Sequence, residues 1–496
     1  MQRDLSDFIS LTSGKLLRIP LAILSASLLA RAIGPDGVGK WAMILAVSNL
    51  FYSFLFNWTQ SFNVRFGREE WKSKKKLSDV WATRWPLVAS GIGLTTTFLF
   101  FQPFSFLERF FNLSASWWPL ILISTLGLWF FSESQSLFRV TGKMSRFATI
   151  PLLIELTTIS YLTTIFFHPP NLRIPWAISG IILVTTVISG ITWYKEFQFS
   201  RPSGGESNWE ARKNLIKYSW PLIPGLFFNY LSNWGDHVLL QYFKSAKDVG
   251  FFSTGYQVMQ ALMGFASSVS ILFLPKLIDR KLAETDVEKD YLIRLAPTII
   301  SLWLIILIPI LVIIPWVFTL VFGKEFLEAI PVLLLLCAAV PSSIFTPIHS
   351  ILYELQGRLG KAVLINAMAL GINFTISFAF VTRLGSIGVA LGTTTSFFLS
   401  QFMFILDQHK YLKISKKQIL ILLIFSICFG VLQCITGENY VLRIVIATLS
   451  LTCLIALIRY FSFIDRAILI HLLSGKLLSF QPFFCWLFIR QETVNR

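Results

Sequence analysis

Charge is scarce in this chain. Of its 496 residues only 14% are Asp, Glu, Lys or Arg, while 54% are hydrophobic. Soluble domains carry about a quarter charged residues, so an ordinary soluble fold is excluded. Acid is scarcer than base: 26 Asp and Glu stand against 43 Lys and Arg, for a net charge of +17. Such an excess invites a nucleic-acid reading. Here the cations lie in short loops between apolar runs, where their first role is membrane orientation, and no nucleic-acid partner is expected. Cysteine is sparse as well. Cys337, Cys428, Cys434, Cys453 and Cys485 all fall in the last third, without C-x-x-C spacing. They read as small apolar residues rather than as a disulfide framework or zinc site. A nucleotide loop is missing too. Gly34-Pro35-Asp36-Gly37-Val38-Gly39-Lys40 nearly spells one, but Trp41 stands where a Ser or Thr must reach Mg²⁺. The segment follows an apolar helix rather than a strand, so it reads as a tight turn. With no other such site, transport driven by ATP in cis is not expected, nor is a cofactor or metal. The first apolar segment has no small-residue cleavage site, so no cleavable signal peptide is expected.

What is abundant is apolar sequence in long runs. A spanning helix needs about 20 mostly apolar residues. That length predicts spans at 13–33, 41–62, 86–107, 117–138, 147–167, 174–194, 218–242, 251–274, 296–319, 329–352, 362–382, 387–407, 418–436 and 441–461. The fold expected is an all-α polytopic membrane protein with about fourteen transmembrane helices. Trp85, Trp117, Trp118, Trp176 and Trp316 stand near the ends of runs, as interfacial tryptophans do. With the N-terminus inside, the internal loops carry 26 Lys and Arg. The external segments carry 9, counting Arg31 and Arg443 at span ends. The asymmetry predicts both termini in the cytoplasm.

The chain also repeats itself. Asp36-Gly37-Val38-Gly39-Lys40-Trp41 recurs as Lys247-Asp248-Val249-Gly250-Phe251-Phe252, at an offset of 211. Leu137-Phe138-Arg139-Val140-Thr141-Gly142-Lys143 recurs as Leu352-Tyr353-Glu354-Leu355-Gln356-Gly357-Arg358, at an offset of 215. An offset this steady over more than a hundred residues marks a duplicated unit. Each unit holds six predicted helices, an even number, so both copies enter the membrane in the same direction. They are expected to be related by a pseudo-two-fold axis along the membrane normal, with a cavity between them. The expected organisation is an N-terminal six-helix lobe at 1–195, a cytoplasmic linker at 196–213, a C-terminal six-helix lobe at 214–410, an appended helix pair at 411–461 and a cytoplasmic or interfacial tail at 462–496.

Polar residues inside apolar spans carry the functional information, because ionisable groups at membrane depth are costly. In helix 1, Lys15 and Arg18 share a face with Ala22 and Ser25. They read as anion contacts or as cations snorkelling to headgroups. In helix 2, Asn49, Ser53, Asn57 and Gln60 form a stripe, either cavity-lining or binding neighbouring helices together. In helix 7, Asn229, Asn233 and Asp236 share a face, with His237 beside them. Helix 8 aligns Tyr256, Gln260 and Ser267, and His349 and Glu354 sit near the inner end of helix 10. Glu133 and Glu155 complete the set, each with the alternative of pairing to a structural Arg. The candidate substrate-binding residues are therefore Lys15, Arg18, Asn57, Gln60, Asn229, Asn233, Tyr256 and Gln260, and the candidate ion-coupling pair is Asp236 and His237. No catalytic residues are expected.

Leu29-Ala30-Arg31-Ala32-Ile33-Gly34-Pro35-Asp36-Gly37-Val38-Gly39 resembles the first helix-turn of polysaccharide-exporting flippases of the O-antigen type. Pro221-Leu222-Ile223-Pro224, Asp236, Asp248-Val249-Gly250, and the Gly142-Lys143 and Gly357-Arg358 turns are similar to that family as well. The resemblance covers roughly residues 10–410. Its superfamily also holds lipid II flippases and cation-coupled drug exporters. It implies alternating-access flipping of a polyprenyl-pyrophosphate-linked oligosaccharide across a bacterial inner membrane. It also implies membrane lipids as surroundings, H⁺ or Na⁺ as coupling ion, and a polysaccharide polymerase with its chain-length machinery as partners. The rivals are a cation-coupled drug or metabolite exporter of the same fold and a membrane polysaccharide polymerase. The longest external loop is about ten residues, with no paired carboxylates for sugar chemistry, which argues against the polymerase.

Overall fold

The structure is a computed structural model that describes residues 2–101, 111, 113–199, 209–281, 287–412, 417–465 and 488. Every regular element among them is helical: α1 Gln2–Tyr52, α2 Trp58–Lys74, α3 Ser78–Phe101, α4 Trp118–Thr141, α5 Met144–Ile165, α6 Pro170–Phe199, α7 Trp209–Ser219, α8 Ile223–Phe243, α9 Ala246–Lys281, α10 Val287–Asp290, α11 Ala296–Phe322, α12 Ile330–Ala338, α13 Phe345–Leu355, α14 Leu359–Leu384, α15 Ser386–Leu412, α16 Lys417–Ile435 and α17 Tyr440–Phe461. Among the described residues, nine helical stretches are long and apolar enough to cross a membrane. The chain is an all-α polytopic membrane protein. Linker residues 200–208, residues 109, 110 and 112 of the loop at 109–116 and nearly all of the tail lie outside the described residues.

The chain divides into two compact units. The first is Met1–Thr254 with Val321–Phe326 and Val381–Ser386; the second is Gly255–Leu320, Leu327–Phe380 and Ile387–Arg496.

In the first unit, the near-P-loop segment, expected to be a turn, is helical apart from a kink at Gly34. α1 runs unbroken except at Gly34, whose φ of 66° and ψ of −179° are a conformation essentially reserved for glycine. The repeat-related segments then meet. A Cβ on Gly39 would land on the Ala246 carbonyl, and one on Gly250 would land on the Pro35 carbonyl. The sequence offset of 211 maps 35 onto 246 and 39 onto 250, so the contact is mutual under the duplication. Glycine is needed at both places for backbone to touch backbone.

Tryptophan has two roles in this unit. Trp85 and Trp176 are exposed. Trp118, expected at an interface, is buried, as are Trp81 and Trp129. Trp193 of α6 bridges the buried pair, with centroids 6.4 Å from Trp81 and 5.3 Å from Trp129. Phe56 continues the row 5.6 Å from Trp129. Large rings fill the space between α3, α4 and α6 and contribute area and edge contacts beyond it. From α2, Glu70 caps the start of α3, accepting from the Asp79 and Val80 amides at 2.8 and 3.0 Å. Asp79 also pairs with Lys74, and that partnership raises the lysine pKa above its usual value. The linker helix α7 docks by Leu215, buried against Phe62 and Val80.

In the second unit, the appended pair is fastened to α11. Pro315 has no N–H, so the Leu311 carbonyl one turn earlier loses its helix donor. Arg443 of α17, 1% exposed, supplies the replacement. Its Nη2 donates to Leu311 O at 2.5 Å and its Nε to Val312 O at 3.3 Å. Nη1 donates to Gln433 O at 2.9 Å and Gly437 O at 3.0 Å. One guanidinium thus satisfies four carbonyls. At the other end of the pair, Arg294 holds Asp465 at 2.9 Å.

Residues related by the sequence offset form a matched clamp in each unit. Gly142 and Gly357 end their helices in the left-handed region, at φ 74° and 67°. The next residue closes the same backbone bond in each copy, Lys143 N to Phe138 O and Arg358 N to Tyr353 O, both 2.9 Å. Its side chain then takes an acid from the last helix of its own half. In the first unit Lys143 meets Glu196 at 2.6 Å, with Arg146 on the same carboxylate. In the second, Arg358 meets Asp407 at 3.1 Å, and Tyr353 donates to that acid at 2.8 Å. Glu196 and Asp407 are again 211 residues apart.

Candidate functional site

The polar residues of the first unit form two centres of different character. The first lies where α2, α3 and α4 meet. The helix carrying Tyr52 passes through a π-helical turn, Ser53–Asn57, before α2 begins. Such a bulge adds a residue to the turn and re-aims side chains, often at functional places. It brings Asn57 and Gln60 to the Tyr52 hydroxyl, at 3.3 and 3.0 Å. Ser132 of α4 stands 2.6 Å from Tyr52 and donates to Gln60 Oε1 at 2.6 Å. One turn on, Asn63 donates to Ser136 at 3.1 Å. Beside this row is an ion pair with both side chains 0% exposed. Arg84 reaches Glu133 through Nη2 at 2.5 Å and Nη1 at 3.3 Å, and Nη2 also donates to Thr59 at 3.1 Å. The alternative given for Glu133, pairing with an Arg, is what the structure shows. Arg84 counts as a loop cation in the charge-based topology, yet it sits inside α3; removing it from that count leaves the asymmetry intact.

The second centre lies between α1 and α5. Glu155 stands between Arg18 and Ser25, two α1 residues on one face. Ser25 Oγ donates to Glu155 Oε2 at 3.0 Å. Arg18 Nε is 3.7 Å from Glu155 Oε1, within ion-pair reach but beyond hydrogen-bond length, and its side chain is 49% exposed. Lys15 lies one turn earlier in α1, and its side chain is outside the described residues.

The helix 7 stripe is on α8. Asn233 Nδ2 donates to the Asn229 carbonyl at 2.7 Å and to Asn229 Oδ1 at 3.3 Å. Asp236 and His237 are buried. The His237 ring packs 5.3 Å from Trp234 and edge-on to Phe252 at 5.2 Å. In the second unit, Gln260 donates to the Tyr256 hydroxyl at 2.8 Å. Tyr256 and Gln260 thus meet each other, but belong to a different unit from the other candidates. His349, singled out near the end of helix 10, is buried between Phe345 and Phe404, both rings stacked on it. Among the described residues no group of three or more His, Cys, Asp or Glu is placed to hold a metal ion.

Sequence reasoning missed Tyr52, Ser132 and Thr59, whose hydroxyls bind the first centre together. It also missed Glu196 and Asp407. The signal for those two was present: each is an acid at the repeat offset, opposite a basic residue following a left-handed glycine.

The arrangement combines a locked, fully buried ion pair with an accessible arginine held loosely by a neighbouring acid. Comparison with known proteins sets it in context. The family described as polysaccharide biosynthesis protein matches residues 5–276, more than half of the chain. No curated protein matches. Among solved structures, the lipid II flippase MurJ in an inward closed conformation aligns at a TM-score of 0.67 with 14% identity, over 90% of this chain and 98% of that one. An inward-facing multidrug resistance MATE family transporter of the MOP superfamily aligns at 0.58 with 13% identity, over 82% and 98%. A Vibrio cholerae MATE transporter, VcmN, aligns at 0.52 with 16% identity, over 83% and 98%. These likenesses are likenesses of fold. The long apolar helices, the family match and the likeness of fold lead to one statement: this chain is a multi-pass membrane protein of the polysaccharide biosynthesis protein family, with the MOP exporter fold shared by MurJ and the MATE transporters.

Proposed function

We propose that this protein flips a polyprenyl-pyrophosphate-linked oligosaccharide from the inner to the outer leaflet of a bacterial inner membrane by alternating access, with both termini in the cytoplasm. The observation that carries the reading is Arg18, a half-exposed cation on the first helix whose ion-pair partner holds it without a hydrogen bond. A diphosphate is a strong ligand for such a group. The planar guanidinium fork matches phosphate oxygens two at a time, whereas an ammonium acts as a point charge. Family membership supports a glycan substrate, and the MurJ likeness supports a lipid-linked one. The amide side chains of Asn229 and Asn233 on α8 are suited to sugar hydroxyls, and the same role is proposed for Tyr256 and Gln260. Lys15 assists Arg18 one turn away.

Asp236 is the proposed coupling residue. A carboxylate buried at membrane depth is costly to keep charged. Loading it with H⁺ or Na⁺ removes that cost and biases the protein toward the conformation that holds the load. The rival reading, a cation-coupled exporter of drugs or metabolites, draws on the MATE likeness, but a cationic substrate is repelled by Arg18. The test is surface glycan display in cells. Arg18→Ala is expected to abolish it with protein abundance unchanged, and Arg18→Lys to restore it partly. Full display by Arg18→Ala would show that Arg18 contacts lipid headgroups alone.

A further inference from the structure

We propose that Glu155 is an internal stand-in for the substrate's anionic group: Arg18 exchanges between Glu155 in the empty protein and the diphosphate in the loaded one, so Glu155 governs substrate release. The inference rests on the reading of Arg18 given above and deepens it.

Two of the Arg–Glu pairs in the first unit have geometries that assign them opposite roles. Arg84 and Glu133 are both fully buried, share two hydrogen bonds and have Thr59 as a further partner. A pair like this does not exchange, because separating it leaves two desolvated charges unpaired. Arg18 and Glu155 are built the other way. Their closest approach is 3.7 Å, through Nε, with the arginine 49% exposed and the glutamate 17%. The hydrogen-bonding fork of Arg18 is not spent on Glu155. A pair at that distance has no hydrogen bond to break, so an incoming diphosphate that offers the fork two oxygens can take the arginine over.

The two partners also differ in what holds them when apart. Glu155 Oε2 accepts from Ser25 Oγ at 3.0 Å, a bond made on the oxygen other than the one that faces Arg18. The single Ser25 hydroxyl proton is shared with the Ala22 carbonyl, also at 3.0 Å, and Glu155 is the more buried partner, 17% exposed against 49%. The acid is therefore the fixed member and the arginine the mobile one. A fixed acid beside a mobile arginine neutralises it when no substrate is bound. It then competes for the same guanidinium once substrate is bound, and this favours release. A transporter needs both effects, since a bare cation at membrane depth is costly and a diphosphate held too tightly is never let go.

The test uses the purified full-length protein and a short-chain prenyl diphosphate as probe, with binding measured by calorimetry and folding by thermal midpoint. Glu155→Gln removes the competing charge while its amide oxygen still accepts from Ser25. It is expected to bind the probe about tenfold more tightly, equivalent to about 1.4 kcal/mol, and to release it more slowly. Glu155→Asp keeps the charge and is expected to bind as wild type. Arg18→Ala is expected to lose binding, and Arg18→Ala with Glu155→Gln is expected to match Arg18→Ala alone. Unchanged or weaker binding by folded Glu155→Gln, with Arg18→Ala still defective, would overturn the exchange while leaving the role of Arg18 standing. Tightening that persists without Arg18 would overturn it as well. Wild-type binding by Arg18→Ala would overturn the reading of Arg18 itself.

Discussion

Breaking the Arg84–Glu133 pair from one side should be far more damaging than removing both partners. Each side chain is 0% exposed and the carboxylate takes two guanidinium bonds, at 2.5 and 3.3 Å. In Glu133→Leu the guanidinium keeps only its bond to Thr59, with a full charge in a desolvated site. In Arg84→Met the carboxylate loses both donors. Removing one partner of a buried pair costs about 3–5 kcal/mol, whereas replacing both by apolar groups of similar volume is often neutral or stabilising. The double variant Arg84→Met with Glu133→Leu should therefore recover most of the loss, and the coupling in the double-mutant cycle should exceed about 2 kcal/mol in favour of the double. The assay is unfolding of purified protein in a mild detergent by titration with a denaturing one, with the four variants side by side. Two single variants close to wild type would mean that water reaches the site and that the pair is not desolvated. A double variant as unstable as the sum of the singles would refute the argument from unpaired charge.

Other predictions follow from the same structure. Arg443→Ala should destabilise the second unit by about 2–4 kcal/mol through orphaned carbonyls, and Pro315→Ala in that background should recover part of it by restoring a donor to Leu311; detergent unfolding reads both, and no rescue would show that the arginine acts by packing alone. Asp236→Asn should fold normally and lose its response to imposed H⁺ or Na⁺ gradients in reconstituted vesicles; a response like that of wild type would make Asp236 structural. Reporter fusions within 63–85 should read as cytoplasmic and fusions within 383–386 as external, and an external signal from the first would overturn the orientation.

Much of the architecture was legible in the chain because it depends on composition and period. Long apolar runs mark the helices, and the steady sequence offset pairs positions that have like surroundings, such as Gly142 with Gly357. Gly39 and Gly250 could be recognised as equivalent glycines, but their mutual contact needs the tertiary structure, where each backbone approaches the other copy. The same limit applied to side-chain pairing. Glu133 was flagged as an acid in need of an arginine, yet its partner was counted in a loop, because Arg84 lies just before an apolar run and a one-dimensional reading assigns such a residue to the interface. The row of Tyr52, Asn57, Gln60 and Ser132 was half visible as a stripe. An ideal helical period could not show that a π turn at Ser53–Asn57 re-aims two of its members onto Tyr52. Tryptophan misled in a similar way. Proximity to the end of a run points to the interface, while Trp118 turns inward.

The central claim is tested most directly by reconstituting the purified protein into vesicles with a lipid-linked oligosaccharide carrying a fluorescent sugar, and measuring the fraction that an external glycosidase can reach over time. The account predicts that wild type moves the sugar between leaflets, that Arg18→Ala abolishes the movement while still inserting and folding, and that cationic dyes are not transported. Movement of the dyes with the lipid-linked sugar left in place, or sugar movement undiminished in Arg18→Ala, would contradict it.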